Sequence, residues 1–392
     1  MPSPSEELRK LQTDGLLRAL QPLDSPAGPQ VTRGGRPLWN FSSNDYLGLA
    51  RHPEIEAALI EGVQRFGAGA AASRLVCGTL PPHQQLEAAL AQAKLTEAAL
   101  VFPSGFATAL GVIPAVVGKT DFILLDKLSH ACLVDAARLS GATLRVFPHN
   151  DLSKLARLLA ATRAKAPHAR ILVATESVFS MDGDLCPLRE IVGLVESHGA
   201  LLLLDEAHGF GVLGESGMGL AEREHLQQRV TFQMGTLSKA AGLSGGYLAA
   251  SREWIDLLVN RARSFIYSTA PPPALAHAAL ASLRLIRSAE GNALRLRLQH
   301  NISLIATSPT PIIPLILGSN VSSLTASAAL ADAGFLVPAI RFPTVPRGTS
   351  RLRVSLSAAH PPKAVTALAA ALQHITRTIS QSEPSHEFLQ RP

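Results

Sequence analysis

Gly235-Thr236-Leu237-Ser238-Lys239-Ala240-Ala241-Gly242-Leu243-Ser244-Gly245-Gly246 follows the apolar run Val230–Met234, which has the length of a short buried strand. Its single charge is Lys239, set among small uncharged residues where a solubilising lysine is out of place. An amine in that setting can condense with an aldehyde. The hydroxyls of Thr236 and Ser238 beside it can meet a phosphate.

Upstream, Ala200–Leu204 reads as another buried strand, and it runs into Asp205-Glu206-Ala207-His208. Asp205 is expected at the carboxyl end of that strand, where open parallel sheets place their ligands. A carboxylate buried there needs a cationic partner. The protonated ring nitrogen of pyridoxal phosphate is such a partner, and the pairing keeps the ring an electron sink. His208, three residues on, is placed to reach a ring hydroxyl, although a structural ion pair explains Asp-x-x-His equally simply. Ser104-Gly105-Phe106 reads as a turn opening a helix, with free N–H groups for an anion. His130, after the Phe122–Leu125 run, is expected at the same sheet edge. It can stack on a flat ring or cap a helix.

Two nucleotide signals fail on their context. Gly209-Phe210-Gly211-Val212-Leu213-Gly214 has the spacing of a dinucleotide fingerprint but follows its strand only after a polar interval and opens no helix. Asp205–His208 spells a helicase box, yet Ile113-Pro114 stands where a phosphate loop ending in Gly118-Lys119-Thr120 would require glycine.

Further apolar runs at Ala99–Phe102, Thr143–Phe147 and Ile171–Thr175 alternate with helical spacing at Leu152–Ala161 and Leu188–Ser197. The expectation is an α/β fold, a mostly parallel sheet between helices, with a smaller C-terminal α+β domain. The domains are read as an N-terminal helix and arm over 1–45, a large domain over 46–285, a small one over 286–380 and a polar tail over 381–392. The helix is expected over 5–20, a Pro/Gly-rich linker to Pro37, and C-terminal strands at Ile312–Leu317 and Leu352–Leu356. At 392 residues, 47% hydrophobic and 17% charged, the chain can bury such a core. Its net +6 is scattered and its aromatics are few, so nucleic acid is not expected as a partner. Cys77, Cys132 and Cys186 offer neither a disulfide framework nor a metal-ligand spacing, which suits the cytoplasm and no metal. Residues 1–7 show neither a basic nor an apolar region, so export is not expected. Ala98–Gly118 is uncharged and long enough to span a bilayer, but Pro103, Gly105 and Pro114 break it into a strand, a turn and a helix.

Taken together, these residues resemble the α-oxoamine synthases, fold-type I pyridoxal-phosphate enzymes that condense an amino acid with an acyl thioester and release CO2. The resemblance runs from Asn40–Leu49 to Arg351–His360. It rests on Glu176-Ser177-Val178-Phe179-Ser180-Met181-Asp182-Gly183-Asp184, Asp205–Gly209 and Thr236–Lys239, in that order. It implies that Lys239 carries the cofactor, Asp205 pairs the pyridine nitrogen, and His208 and Ser180 contact the ring hydroxyl. His130 stacks on the ring and assists the carbonyl steps. Ser104, Gly105, Phe106 and Thr236 hold the phosphate, helped by Ser268 or Thr269 from a neighbouring subunit of a homodimer.

Within the family, the arm with Arg18 and the stretch Ile340–Arg353 are most similar to members that join L-alanine to a pimeloyl thioester. That similarity implies substrate contacts from Arg18, Asn44, His130, Arg341, Thr344 and Arg353, with Arg353 gripping the amino-acid carboxylate. The acyl carrier is either coenzyme A or an acyl carrier protein. Glycine with an acetyl thioester is the alternative substrate pair, and a non-catalytic subunit of the same fold the outsider. Ala109 and Arg74 depart from the family pattern and are expected to bear on the acyl pocket.

Overall fold

The computed structural model describes residues 3–382. Two compact units form. One comprises 44–180 and 184–297, and the other gathers the N-terminal arm up to Ser43, the short 181–183 segment and the chain from Leu298 onward.

The first unit is organised by a seven-stranded sheet. In spatial order its strands are Ala98–Phe102, Gly246–Ala250, Phe232–Thr236, Leu201–Asp205, Ile171–Glu176, Phe122–Asp126 and Thr143–Phe147. Only Gly246–Ala250 runs against the others. The strands from Ala98 to Asp126 and from Ile171 to Ala250 are buried at nearly every position, as a sheet covered on both faces requires. Thr143–Phe147 closes one edge, and its exposed Arg145 guards that edge against further pairing. Helices Gly105–Val116, Ala131–Ser140, Leu152–Lys165 and Leu188–Ser197 lie between successive strands in the chain. The uncharged 98–118 stretch resolves into strand, turn and helix. No helix among the described residues is long and apolar enough to cross a membrane.

The second unit holds two small sheets. Ile312–Gly318, Ser350–Ser355 and Ala339–Ile340 pair antiparallel, and the hairpin Gln30–Arg33/Arg36–Asn40 takes Phe335–Leu336 as a parallel third strand. That hairpin occupies the stretch whose composition predicts a linker. Gly34 and Gly35 both adopt positive φ, +56° and +73°, which makes the tight two-residue turn that joins antiparallel strands. The first helix is also shorter than expected, Pro4–Thr13 rather than 5–20. Asp14-Gly15 are weak helix formers and end it despite the leucines beyond. The last helix runs Pro362–Ser382, and the rest of the expected polar tail lies outside the described residues.

Neither departure from the family pattern stands open for a ligand. Ala109 is fully buried in the core on the Gly105–Val116 helix. The Arg74 guanidinium makes two parallel 2.9 Å bonds to the Glu87 carboxylate, which also accepts the Val101 N–H at 3.0 Å. Breaking one side of such a buried pair strands the other charge. Arg74→Ala should therefore lower unfolding stability by about 3–5 kcal/mol, measured by denaturant titration. A loss below about 1 kcal/mol would show that water already satisfies Glu87.

Candidate active site

Within the first unit, the carboxyl ends of the strands bring most of the expected cofactor residues onto neighbouring positions. Asp205 ends Leu201–Asp205, and its register partner on the adjacent strand is Glu176. Two carboxyls therefore lie side by side in the buried sheet. Burial pushes Glu176 up to about 8, and the neighbouring Asp205 charge adds to the shift. Burial also raises Asp205, against the opposing pull of Lys239 and His130. Two carboxylates this close do not both ionise without a cation between or beside them. Glu176 also ties down the helix that follows the next strand, its Oε1 accepting the His130 backbone N–H at 2.5 Å.

Lys239 sits in the loop between Phe232–Thr236 and Gly246–Ala250. Its Nζ lies 2.7 Å from His208 Nε2, and His208 Nδ1 lies 2.6 Å from the Tyr46 hydroxyl. Tyr46, buried completely, donates to Asn44 Oδ1 at 3.1 Å. Lysine, histidine, tyrosine and asparagine thus form one continuous polar chain.

His130 is the N-cap of Ala131–Ser140, with Nδ1 accepting the Cys132 N–H at 3.2 Å. Capping and a place at the sheet edge are therefore compatible. Desolvation holds its pKa below the usual imidazole value, with Asp205 opposing and Lys239 reinforcing the shift. Ser180 is buried in the loop after Ile171–Glu176.

Ser104 caps Gly105–Val116, its Oγ accepting the Ala107 N–H at 3.1 Å. The first amides of that helix, Gly105 and Phe106, have no acceptor within the helix by its geometry. They adjoin Thr236, since a methyl group on Gly105 would lie 3.5 Å from Thr236 Cβ and 3.7 Å from its Oγ1. Thr236 Oγ1 is in turn 2.7 Å from Ser238 Oγ. The close approach depends on Gly246, where a Cβ would come within 2.4 Å of Thr108 Oγ1 and 2.5 Å of the Ser104 carbonyl. Helix amides and two hydroxyls gathered in this way can take a phosphate. With an amine at Lys239 and a buried carboxylate at Asp205, the set fits pyridoxal phosphate. Ser268 and Thr269 lie apart from this cradle in sequence, with Thr269 bridged to Ser73.

The chain matches the model of the aminotransferase class I and II family over residues 36–372. A relative from Anaeromyxobacter sp., named 8-amino-7-oxononanoate synthase, is 48% identical over 96% of both chains. The chain belongs to the α-oxoamine synthases. Another relative of the same name, from Geobacter sulfurreducens, is 46% identical over 95% of this chain and 97% of its own. Among solved structures, a serine palmitoyltransferase from S. paucimobilis with a bound pyridoxal-phosphate adduct matches with TM-score 0.90. Its identity is 28%, over 96% of this chain and 97% of its own. An 8-amino-7-oxononanoate synthase from Francisella tularensis matches with TM-score 0.75 and 26% identity, over 88% of this chain and 98% of its own. Like other α-oxoamine synthases, the chain takes pyridoxal phosphate as its cofactor on the fold-type I scaffold.

The remaining expected residues lie in the second unit. Arg18 donates to Thr344 Oγ1 at 3.1 Å, and Arg341 donates to the Gly15 carbonyl. Arg341 is held below its ordinary pKa, first by desolvation and then by the Arg18 charge. Arg353 is buried on Ser350–Ser355 and donates to Ser355 Oγ at 2.7 Å. Its neighbour on the same strand face, Arg351, pairs with Asp182 at 2.6 Å.

Tyr46, Glu176 and His149 carry weight in the site that their sequence context does not announce. Glu176 is the nearest to legible, since it follows its strand just as Asp205 does. His149 has no such signal. It bridges Asp126 at 3.0 Å and Asp184 at 2.7 Å, bracing the segment that leads into His130. Partial burial alone would lower its pKa, but the two carboxylates outweigh that and hold it up at about 10, from an ordinary 6.5. A pKa raised on folding adds stability in full below the unfolded value, and that stability is lost as pH rises through the folded value. The stability gap between the wild type and His149→Gln should therefore be widest below about pH 6.5 and close toward about pH 10. A gap that stays flat across that range in denaturant titrations contradicts the bridge.

Proposed function

We propose that the chain condenses L-alanine with a pimeloyl thioester, releasing CO2 and the thiol, to give 8-amino-7-oxononanoate for biotin synthesis. What carries the reading is a lysine amine 2.7 Å from a histidine ring nitrogen beside a buried pair of carboxyls, in a chain 48% identical to relatives of that name.

Pyridoxal phosphate, when bound, supplies the electron sink that lets a carbanion form at the alanine α-carbon. The chain does the rest. Lys239 Nζ would hold the cofactor aldehyde and would serve as the base for the alanine α-proton. His208 Nε2 is the atom to which Lys239 can pass a proton. Asp205 would pair the protonated pyridine nitrogen, while Glu176, raised to about 8 chiefly by burial, fixes the backbone at His130. Ser180 and His208 would contact the ring hydroxyl, and Ser104, Gly105, Phe106 and Thr236 would hold the phosphate, joined by Ser268 or Thr269 of a second copy in a cytoplasmic homodimer. Arg353 takes the alanine carboxylate, with Asn44 and His130 near the amino acid. Arg18, Arg341 and Thr344 serve the acyl chain, delivered by coenzyme A or an acyl carrier protein.

Arg353→Ala should raise the alanine concentration for half-maximal rate roughly 10–100-fold, equivalent to ~1.5–3 kcal/mol of lost charge-assisted binding. Arg18→Ala and Thr344→Ala should leave the alanine-induced absorption change intact and weaken use of the pimeloyl thioester. Loss of the alanine response in those two variants would remove them from the acyl side. The reading itself is tested by product analysis with each substrate pair. Faster turnover of glycine with acetyl-CoA than of alanine with pimeloyl-CoA would replace it with the glycine C-acetyltransferase reaction.

A further inference from the structure

We infer that the Cys132 backbone amide fixes His130 as a neutral imidazole with its proton on Nε2, so that His130 serves the reaction as a hydrogen-bond donor and neither as a base nor as a cation. The inference deepens the proposed function and rests on its placing of the cofactor at the carboxyl ends of the main sheet. The Cys132 N–H stands in the first turn of Ala131–Ser140 and has no acceptor within that helix. It donates to His130 Nδ1 at 3.2 Å. A ring nitrogen that accepts carries no hydrogen, so the neutral ring keeps its proton on Nε2. Among the described residues no group bonds Nε2, and His130 is exposed, which leaves that N–H for an acceptor oxygen on a ligand. A neutral imidazole at a helix N-terminus can polarise a carbonyl in this way.

The competing state is a thiolate–imidazolium pair, which a cysteine sulfur 3.1 Å from Nδ1 would suggest. Cys132 is buried, however, and burial, with the Asp205 and Glu176 charges adding to it, pushes its thiol above the usual range. The sulfur keeps its proton and brings no anion to the ring. A second proton on the imidazole would sit on Nδ1, facing the Cys132 N–H and leaving that amide without an acceptor. It would also place a positive charge at the positive end of the helix. Desolvation holds the ring below the ordinary 6.5; Asp205 and Asp135 oppose that shift, and Lys239 reinforces it. Glu176, the remaining carboxyl at this edge, is engaged by the His130 backbone N–H and not by the ring.

The test is nitrogen-15 NMR of the histidine-labelled, cofactor-loaded chain, with the spectrum of His130→Gln identifying the His130 signals. The wild type should show the Nε2–H form at neutral pH and a protonation midpoint below 6.5. An Nδ1–H ring, or an imidazolium at neutral pH, overturns the inference. Cys132→Ser keeps the amide and should keep the tautomer; losing it there would make the thiol the cause. Cys132→Pro removes the amide hydrogen in the first turn of a helix, where proline is tolerated. It should give a mixture of tautomers and a midpoint moved toward 6.5, and an unchanged spectrum overturns the role of the amide. If the proline variant does not fold, the wild-type and serine spectra still decide. The reaction supplies a second readout, because glutamine offers an amide N–H and does not titrate. Whatever its height, the pH profile of product formation in His130→Gln should keep the wild-type shape above pH 6.5. A limb present in the wild type and missing in the variant would show that His130 titrates there and overturn the inference. Borohydride labelling separates the two claims. A label away from Lys239 defeats the cofactor reading, whereas an Nδ1–H ring in a chain labelled on Lys239 defeats only the inference.

Discussion

Lys239→Ala should lose at least ~10³-fold in the rate of α-proton exchange of alanine, because the proposed mechanism has this one side chain both hold the cofactor and move the proton. The variant should still take up pyridoxal phosphate through the proposed phosphate contacts, since Ser104, Gly105 and Thr236 lie together without the lysine. Its bound cofactor should wash out on dialysis and resist fixation by borohydride. The relevant comparison is exchange rate per bound cofactor, so that loss of occupancy is not mistaken for loss of chemistry. Exchange within tenfold of the wild type would mean that another base, most simply His208, removes the proton directly.

Asp205→Asn is the second large effect. The carboxylate is buried and held near a cationic site, and its amide replacement keeps the shape while removing the charge. Without that charge the pyridine nitrogen loses its proton and the ring withdraws electrons poorly. A fall of at least ~10²-fold in exchange follows, or about 2.7 kcal/mol of barrier. Cofactor binding should survive, since the phosphate and aldehyde contacts are elsewhere. The neighbouring Glu176 supplies an internal check. It is the nearest other carboxyl in register, and burial, the leading cause of its raised pKa, remains in the variant, so it becomes a better substitute as pH rises. If activity of the asparagine variant recovers with rising pH, Glu176 has taken over the pairing. Near-normal exchange at neutral pH would mean that Asp205 is not the partner of the ring nitrogen.

The parts of the molecule legible in the sequence are those governed by local pattern. Mostly apolar runs of four or five residues mark six strands of the main sheet; Asp205 stands out as a charge at the end of one of them, and Lys239 as the one charge in the small-residue loop after another. The strand expected at Val230–Met234 is shifted by two residues to Phe232–Thr236, because an apolar run does not mark where a buried strand stops. Gly246–Ala250 is not legible at all. Its glycine-first, alanine-rich sequence has little strand character, and it is a strand because it is packed between two neighbours. The hairpin after Gln30 is hidden by its glycines, which read as a linker until their paired positive φ values show them to be the turn. In the site, the residues on the strand ends are the ones the sequence exposes. Tyr46 and His149 are not among them, because each acts through a partner more than a hundred or about thirty residues away, and no spacing along the chain encodes such a meeting.

The most direct test of the account is reduction of the cofactor-loaded wild-type protein with borohydride, followed by peptide mapping of the labelled site. The account predicts a yellow protein, one label per chain, and that label on Lys239 in the peptide containing Thr236 and Ser238. A label on any other lysine, or a pure protein that retains no cofactor to reduce, would contradict it.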